Sequence, residues 1–184
     1  SSLDAPSVAA ALDWRLLRRM YWGGFTGAVF DRFLLRAMSR LAHVVPIDPR
    51  RGAISNLAFA AEILKRGDSL VWFPEGRRSE DGKLQRFKPG IGLLLEHFDI
   101  PVIPTWIDGA HAALPLGHKL PRFRKLSVTF GPPVDREQLF ADTKAESTDD
   151  ETDELASHER LASALHNRVA QLERDCEAAG EDTG

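Results

Sequence analysis

Short apolar runs alternate along the chain with longer stretches whose apolar positions recur every three or four residues, and that alternation predicts strands exchanging with helices. From Val8 to Met38 the spacing is helical, with Phe30, Phe33, Leu34 and Leu35 recurring on one side and a break at Gly23-Gly24. Leu41 to Ile47 reads as a short buried strand, followed by a turn at Arg50, Arg51 and Gly52. Ser55 or Asn56 is placed to cap the next helix, whose Leu57, Ala60, Ala61 and Leu64 share a face and which Gly67 ends. Ser69 to Phe73 is a second strand, apolar through its centre as in a strand covered on both sides. A helix is expected over Gly90 to Phe98. A third strand, Pro101 to Ile107, carries two prolines that suit an edge, and Leu126 to Phe130 is a fourth. The expected fold class is α/β, a mixed, mostly parallel sheet flanked by helices.

Charge divides this pattern unevenly. The chain of 184 residues has a formal net charge of -3, and its length suits one well-packed core. Residues 1–140 hold 20 Lys and Arg against 14 Asp and Glu, whereas residues 141–184 hold 4 against 13. Residues 141–154 are acidic and of low complexity, which predicts a disordered linker. Residues 155–184 then form a final helix with Leu161, Leu165, Val169 and Leu172 on one stripe, and removal of everything from residue 143 is expected to leave the core folded. A basic body suits nucleic acid, anionic lipid or a phosphorylated substrate. No zinc-finger spacing or RNA-binding signature is present, so nucleic acid is not an expected partner.

The basic body has a focus. Phe73-Pro74-Glu75-Gly76-Arg77-Arg78-Ser79 leaves the second strand directly, and Phe87-Lys88-Pro89-Gly90 follows within a short polar loop. Guanidinium forks grip phosphate oxygens bidentately, and glycine lets the main chain approach a ligand where a side chain would block it. The two clusters therefore predict an anion site. Two further stretches are basic: Arg15, Arg18 and Arg19 ahead of Met20-Tyr21-Trp22, a composition suited to a lipid surface, and the Ala110–Lys125 loop with His111, His118, Lys119, Arg122, Arg124 and Lys125.

A catalyst is harder to find. The six histidines, His43, His97, His111, His118, His158 and His166, show no relay spacing to a carboxylate, and His111, after Asp108-Gly109, is the least unsuitable as a base. There is no Gly-x-Ser-x-Gly elbow and no phosphate-cradling Gly-x-x-x-x-Gly-Lys-Ser/Thr loop. The single cysteine, Cys176, forms no internal disulfide framework and no metal cluster, and a reducing compartment fits it. No signal peptide and no uninterrupted apolar span long enough to cross a bilayer is present.

From Ser1 to about Pro133 the chain resembles the glycerolipid acyltransferase family typified by 1-acyl-glycerol-3-phosphate acyltransferase. Phe73 to Ser79 is similar to the family's Phe-Pro-Glu-Gly-Thr-Arg-Ser, with Arg77 in place of Thr, and Phe87-Lys88-Pro89-Gly90 is similar to Phe-Lys-x-Gly. Val102-Ile103-Pro104-Thr105-Trp106-Ile107 resembles the later Val-Ile-Pro-Val element, and Val45-Pro46-Ile47-Asp48 with Arg50 or Arg51 resembles the element before them. Ser1-Ser2-Leu3-Asp4 is similar to the closing half of Asn-His-x-Ser-x-x-Asp. The histidine of that His-x4-Asp motif is then expected just upstream of Ser1, and the fragment alone is expected to be inactive.

The resemblance implies an acyltransferase domain over residues 1–140, with the 141–154 linker and the 155–184 helix beyond it. It implies transfer of a fatty acyl group from acyl-CoA or acyl carrier protein to a lysophospholipid or glycerol-phosphate acceptor, at the cytoplasmic side of a membrane, in phospholipid biosynthesis or remodelling. Asp4 is implied as the catalytic histidine's partner. Glu75, Gly76, Arg77, Arg78, Ser79 and Lys88, with Arg50 and Arg51, are implied as the acceptor's binding residues. No metal and no tightly bound cofactor is implied. The competing expectation is a non-catalytic, anionic-lipid-binding module of a larger protein.

Overall fold

The computed structural model of the protein describes residues 3–25, 44–47, 52–115, 117–118, 120–146 and 154–181. The chain forms two compact units in place of the single core expected, one of Asp4–Pro74 and one of Glu75–Gly184, with Leu3 counted in the latter. The division falls inside the Phe73–Ser79 motif.

In the first unit, α1 (Asp4–Ala10) and α2 (Trp14–Leu17) replace the long helix expected from Val8. Asp13 starts α2 by accepting the Arg15 amide at 2.7 Å, an N-cap that satisfies one of the donors a helix start leaves open. The chain then enters a strand, β1 (Met20–Phe25), where a helix is expected. Two adjacent glycines cost a helix about 1 kcal/mol each, and Tyr21, Trp22 and Phe25 favour a pleated surface, so pairing on both sides decides the outcome. Phe30, Phe33, Leu34 and Leu35 lie outside the described residues.

β1 is the centre of a three-stranded parallel sheet in the order β2-β1-β3, with β2 at Val44–Ile47 and β3 at Ser69–Val71. Trp22 pairs in register with Val44 on one side and Val71 on the other, and its side chain is buried. Parallel strands of one sheet need a crossover connection, and α3 (Gly52–Lys65) lies in the one that leads from β2, past β1, to β3. That helix starts before Ser55 and Asn56, which lie within it instead of capping it. Its buried face is Ala60 and Ile63. β3 is shorter than the expected run to Phe73, and Leu70 and Val71 are half-buried.

The second unit is built on two helices, α4 (Pro89–His97) and α7 (Glu154–Glu181). Ile91, Leu94 and Leu95 of α4 are buried, as are Leu161, Ala162, Ala164, Leu165 and Val169 of α7, and the two helices pack together. The crossing is close: a Cβ added at Gly92 would run into the His158 main chain. The C-terminal helix is therefore part of the core, contrary to the expectation that everything from residue 143 is dispensable. β4 (Thr105–Asp108) and β5 (Ser127–Phe130) form an antiparallel pair in register from Thr105 and Phe130 to Asp108 and Ser127, with a Val102 to Val134 bridge ahead of it. The Pro101–Ile107 strand is thus a bridge, an interruption at Pro104 and a strand.

Between β4 and β5 stands the short α5 (Ala110–Ala113). After β5, α6 (Arg136–Glu146) occupies the start of the expected 141–154 linker, so residues 141–146 are helical, and 147–153 lie outside the described residues. Leu139, with no exposed surface, anchors α6, and an Arg168 fork to Asp142, at 2.8 and 3.0 Å, ties it to α7. Among the described residues no helix is long and apolar enough to cross a membrane.

Candidate phosphate-binding site

The sequence that leaves β3 turns at Gly76, whose φ of +68° is a left-handed conformation that favours glycine. The turn is also crowded from one side. A Cβ at Gly76 would lie 3.3 Å from Lys88 Cγ and 3.7 Å from Lys88 Cε, so the lysine side chain passes directly over the glycine. The Glu75–Ser79 and Phe87–Gly90 clusters, separate in sequence, meet in the structure where Lys88 lies against Gly76.

Lys88 is held there from behind. Its backbone is extended, at φ -75° and ψ 144°, and Pro89 next to it opens α4, so the lysine stands at the helix threshold with its side chain spent on no cap. Phe87 is buried and meets His166 of α7 edge-to-face, with ring centroids 5.1 Å apart. The aromatic anchor below and the proline after fix the lysine between them.

Arg78 is half-buried, and its Nη2 donates to the Leu114 carbonyl at 3.3 Å. Its buried Nε has no hydrogen-bond partner, and among the described residues no carboxylate pairs with its guanidinium. A guanidinium has five N–H donors, so one bond to a carbonyl orients the fork and leaves most of it for an anion. Arg77 is exposed.

The loop between the clusters is stitched by carboxylates. Glu75 Oε2 accepts the Gln85 amide at 3.2 Å, joining the two ends of the loop. Asp81 Oδ1 accepts the Ser79 hydroxyl at 2.9 Å, the Lys83 amide at 3.1 Å and Gln85 Nε2 at 3.3 Å. These bonds, the Lys83 amide first and the Ser79 hydroxyl next, hold the Asp81 carboxyl below its ordinary pKa of 3.8. Ser79 thus spends its hydroxyl within the loop. Asp81, Gln85 and the Leu114 carbonyl carry no sequence motif, and only the folded chain shows their part.

The remaining candidates are placed as follows. Asp4 opens α1 in the first unit and is half-buried, whereas Arg78 and Lys88 belong to the second. Arg50 and Arg51 lie outside the described residues, as does His43. His97 bonds the Leu93 carbonyl through Nδ1 at 2.9 Å, His118 meets Arg122, and His111 packs over Gly82. His158 pairs with Glu96 across α4 and α7, a histidine and carboxylate pairing that no short spacing signals. Every described histidine is engaged in packing or in a local contact. Among the described residues no group of three His, Cys, Asp or Glu is arranged to hold a metal ion.

A family model described as Acyltransferase matches residues 1–108, more than half of the chain and the whole of the Phe73–Gly90 surface. The chain belongs to the acyltransferase family. The 1-acyl-sn-glycerol-3-phosphate acyltransferase of Limnanthes douglasii is 32% identical over 112 residues, which is 59% of this chain and 40% of that protein. The chloroplastic 1-acyl-sn-glycerol-3-phosphate acyltransferase BAT2 of Brassica napus is 38% identical over 84 residues, 44% of this chain and 24% of that protein. The 1-acyl-sn-glycerol-3-phosphate acyltransferase alpha of Homo sapiens is 32% identical over 111 residues, 56% of this chain and 36% of that protein. The chain thus spans less than half the length of these relatives. In fold it is similar to the crystal structure of the 1-acyl-sn-glycerophosphate acyltransferase PlsC from Thermotoga maritima. The TM-score is 0.65 and the identity 22%, over 94% of this chain and 63% of that one. The mixed α/β architecture is therefore acyltransferase-like.

Proposed function

We propose that the chain carries the acceptor-binding core of an enzyme that transfers a fatty acyl group from acyl-CoA or acyl carrier protein to a glycerol-phosphate lipid, at the cytoplasmic face of a membrane. The observation that carries this reading is the Lys88 side chain lying across the Gly76 turn, two residues ahead of an Arg78 fork that, among the described residues, no carboxylate neutralises. Such a surface suits a phosphate monoester: cations for its charge, and a turn without a side chain for close approach. The relatives named above, all 1-acyl-sn-glycerol-3-phosphate acyltransferases, agree with a phosphate-bearing acceptor.

In this mechanism Arg78 and Lys88 hold the acceptor's phosphate and thereby fix its free hydroxyl, which turns a bimolecular encounter into an oriented one. A histidine of the family's His-x4-Asp motif takes the hydroxyl proton as the oxygen attacks the thioester carbonyl. The tetrahedral intermediate then collapses, the C–S bond breaks, and the departing thiolate takes the proton back. Asp4 is the carboxylate that orients the histidine ring and stabilises its charged form. Glu75 serves by closing the loop to Gln85.

The test is transfer of a radiolabelled acyl group to 1-acylglycerol 3-phosphate by the chain preceded by Asn-His-Xaa, compared with the chain starting at Ser1. Transfer by the extended form alone, abolished by Asp4→Ala and by Arg78→Ala, is the expected result. Equal transfer by both forms overturns the role of the motif. Binding of anionic vesicles with no transfer by either reduces the protein to a lipid-binding module.

A further inference from the structure

The segment that follows α5 presents apolar side chains and cations side by side, and the apolar ones are exposed. Leu120 is 80% exposed and Phe123 is wholly exposed at 108%. Pro121, Arg122, Arg124 and Lys125 are exposed as well. A solitary exposed leucine is ordinary. Here a leucine and a phenylalanine stand three residues apart among three cations, and the sequence has no Asp or Glu from Ala110 to Leu126. Among the described residues Arg122, Arg124 and Lys125 form no ion pair, in a chain whose net charge is -3.

The base of this loop is fixed while its tip is bare. Ala113 and Leu114 are buried, the Arg122 amide donates to the Ala113 carbonyl at 2.7 Å, and the neighbouring Leu114 carbonyl receives Arg78 Nη2 at 3.3 Å. Arg122, between Leu120 and Phe123, and Arg78 therefore bond successive carbonyls of one turn. A mobile cation in water gains little from a distant anion, but cations flanking aromatic and aliphatic groups at a fixed base match a lipid surface, phosphates outside and hydrocarbon within.

We propose that the Leu120–Lys125 loop seats on an anionic lipid surface, with Leu120 and Phe123 entering the boundary between headgroups and acyl chains while Arg122, Arg124 and Lys125 meet lipid phosphates. The proposal rests on the lipid-acceptor reading and adds the place where the second unit meets the bilayer. Seating there brings the turn that orients Arg78 to the headgroup layer, where a phosphate-bearing acceptor resides.

Sedimentation of the whole chain with phosphatidylcholine vesicles, with and without phosphatidylglycerol, tests it. Wild type partitions onto the anionic vesicles, and the double variant Leu120→Ser, Phe123→Ser loses about tenfold or more of that partition with its melting temperature unchanged, since both side chains are solvent-facing. Arg122→Gln, Arg124→Gln, Lys125→Gln together remove the preference for phosphatidylglycerol. A dye on Phe123→Cys in a Cys176→Ser background shifts its emission to the blue on anionic vesicles. Unchanged partition in the double variant, an unshifted dye, or a change of oligomeric state in the double variant with partition intact overturns the proposal, the last by showing a second copy to be the occupant. Arg78-dependent binding of glycerol 3-phosphate in solution, followed in parallel, separates the two readings: its absence with loop-dependent partition intact sinks the acceptor assignment and leaves the loop standing.

Discussion

Arg78 is the residue on which the most depends, because its bond to the Leu114 carbonyl sets the direction of the fork. A lysine at that position keeps the charge and loses the fork, so Arg78→Lys is expected to retain only a small part of the affinity for 1-acylglycerol 3-phosphate, about tenfold below wild type by calorimetry. Arg77→Ala, at an exposed side chain, is expected to stay within about twofold. Affinities in the reverse order would assign the phosphate to the wrong arginine. Asp81 gives a pH signature to the same loop. Its carboxyl lies below the ordinary 3.8 when folded, so its stabilisation of the loop is complete above that value and is lost as the pH falls through the folded pKa. Hydrogen exchange at the Lys83 amide should accelerate over that acidic range, and Asp81→Asn should flatten the response. The Glu75–Ser79 and Phe87–Gly90 clusters were legible in sequence because short-range composition carries them. Asp81, Gln85 and Leu114 were not, because their roles are set by which loop atoms face inward.

The elements divide along the same line. The α3 and α4 helices, β5 and the α7 stripe follow from apolar spacing alone. β1 does not, since an aromatic stretch with two glycines takes its conformation from the strands on either side. The helical start of residues 141–146 was hidden by acidic composition, and is held by Leu139 and the Arg168 to Asp142 fork. Where α4 and α7 cross, Gly92 leaves no room for even a methyl group against the His158 main chain. Gly92→Ala is therefore expected to lower stability by about 1–3 kcal/mol in chemical denaturation, the usual cost of overpacking a close contact. An unchanged midpoint would mean that the two helices do not approach so closely. Leu161, with no exposed surface, is expected to cost about 2–5 kcal/mol on replacement by Ala. A loss below about 1 kcal/mol would return α7 to the status of an appendage.

At the scale of the molecule, the boundary between the two compact units lies within the Phe73–Ser79 motif, so the strand that leads to the site and the cations that form it belong to different units. A single core was expected from the length of the chain, which does not report where its contacts divide. The family assignment, by contrast, was legible throughout, since the ordered motifs survive however the chain is partitioned. The central proposal is that Lys88, which lies over the Gly76 turn, and Arg78, which is oriented by the Leu114 carbonyl, together recognise a phosphate on a lipid acceptor. Calorimetric titration of the whole chain with 1-acylglycerol 3-phosphate and with the corresponding monoacylglycerol measures that directly. The phosphate-bearing lipid should bind about tenfold or more tightly, with the difference erased by Arg78→Ala. Equal affinity for the two lipids in the wild-type chain would contradict the account.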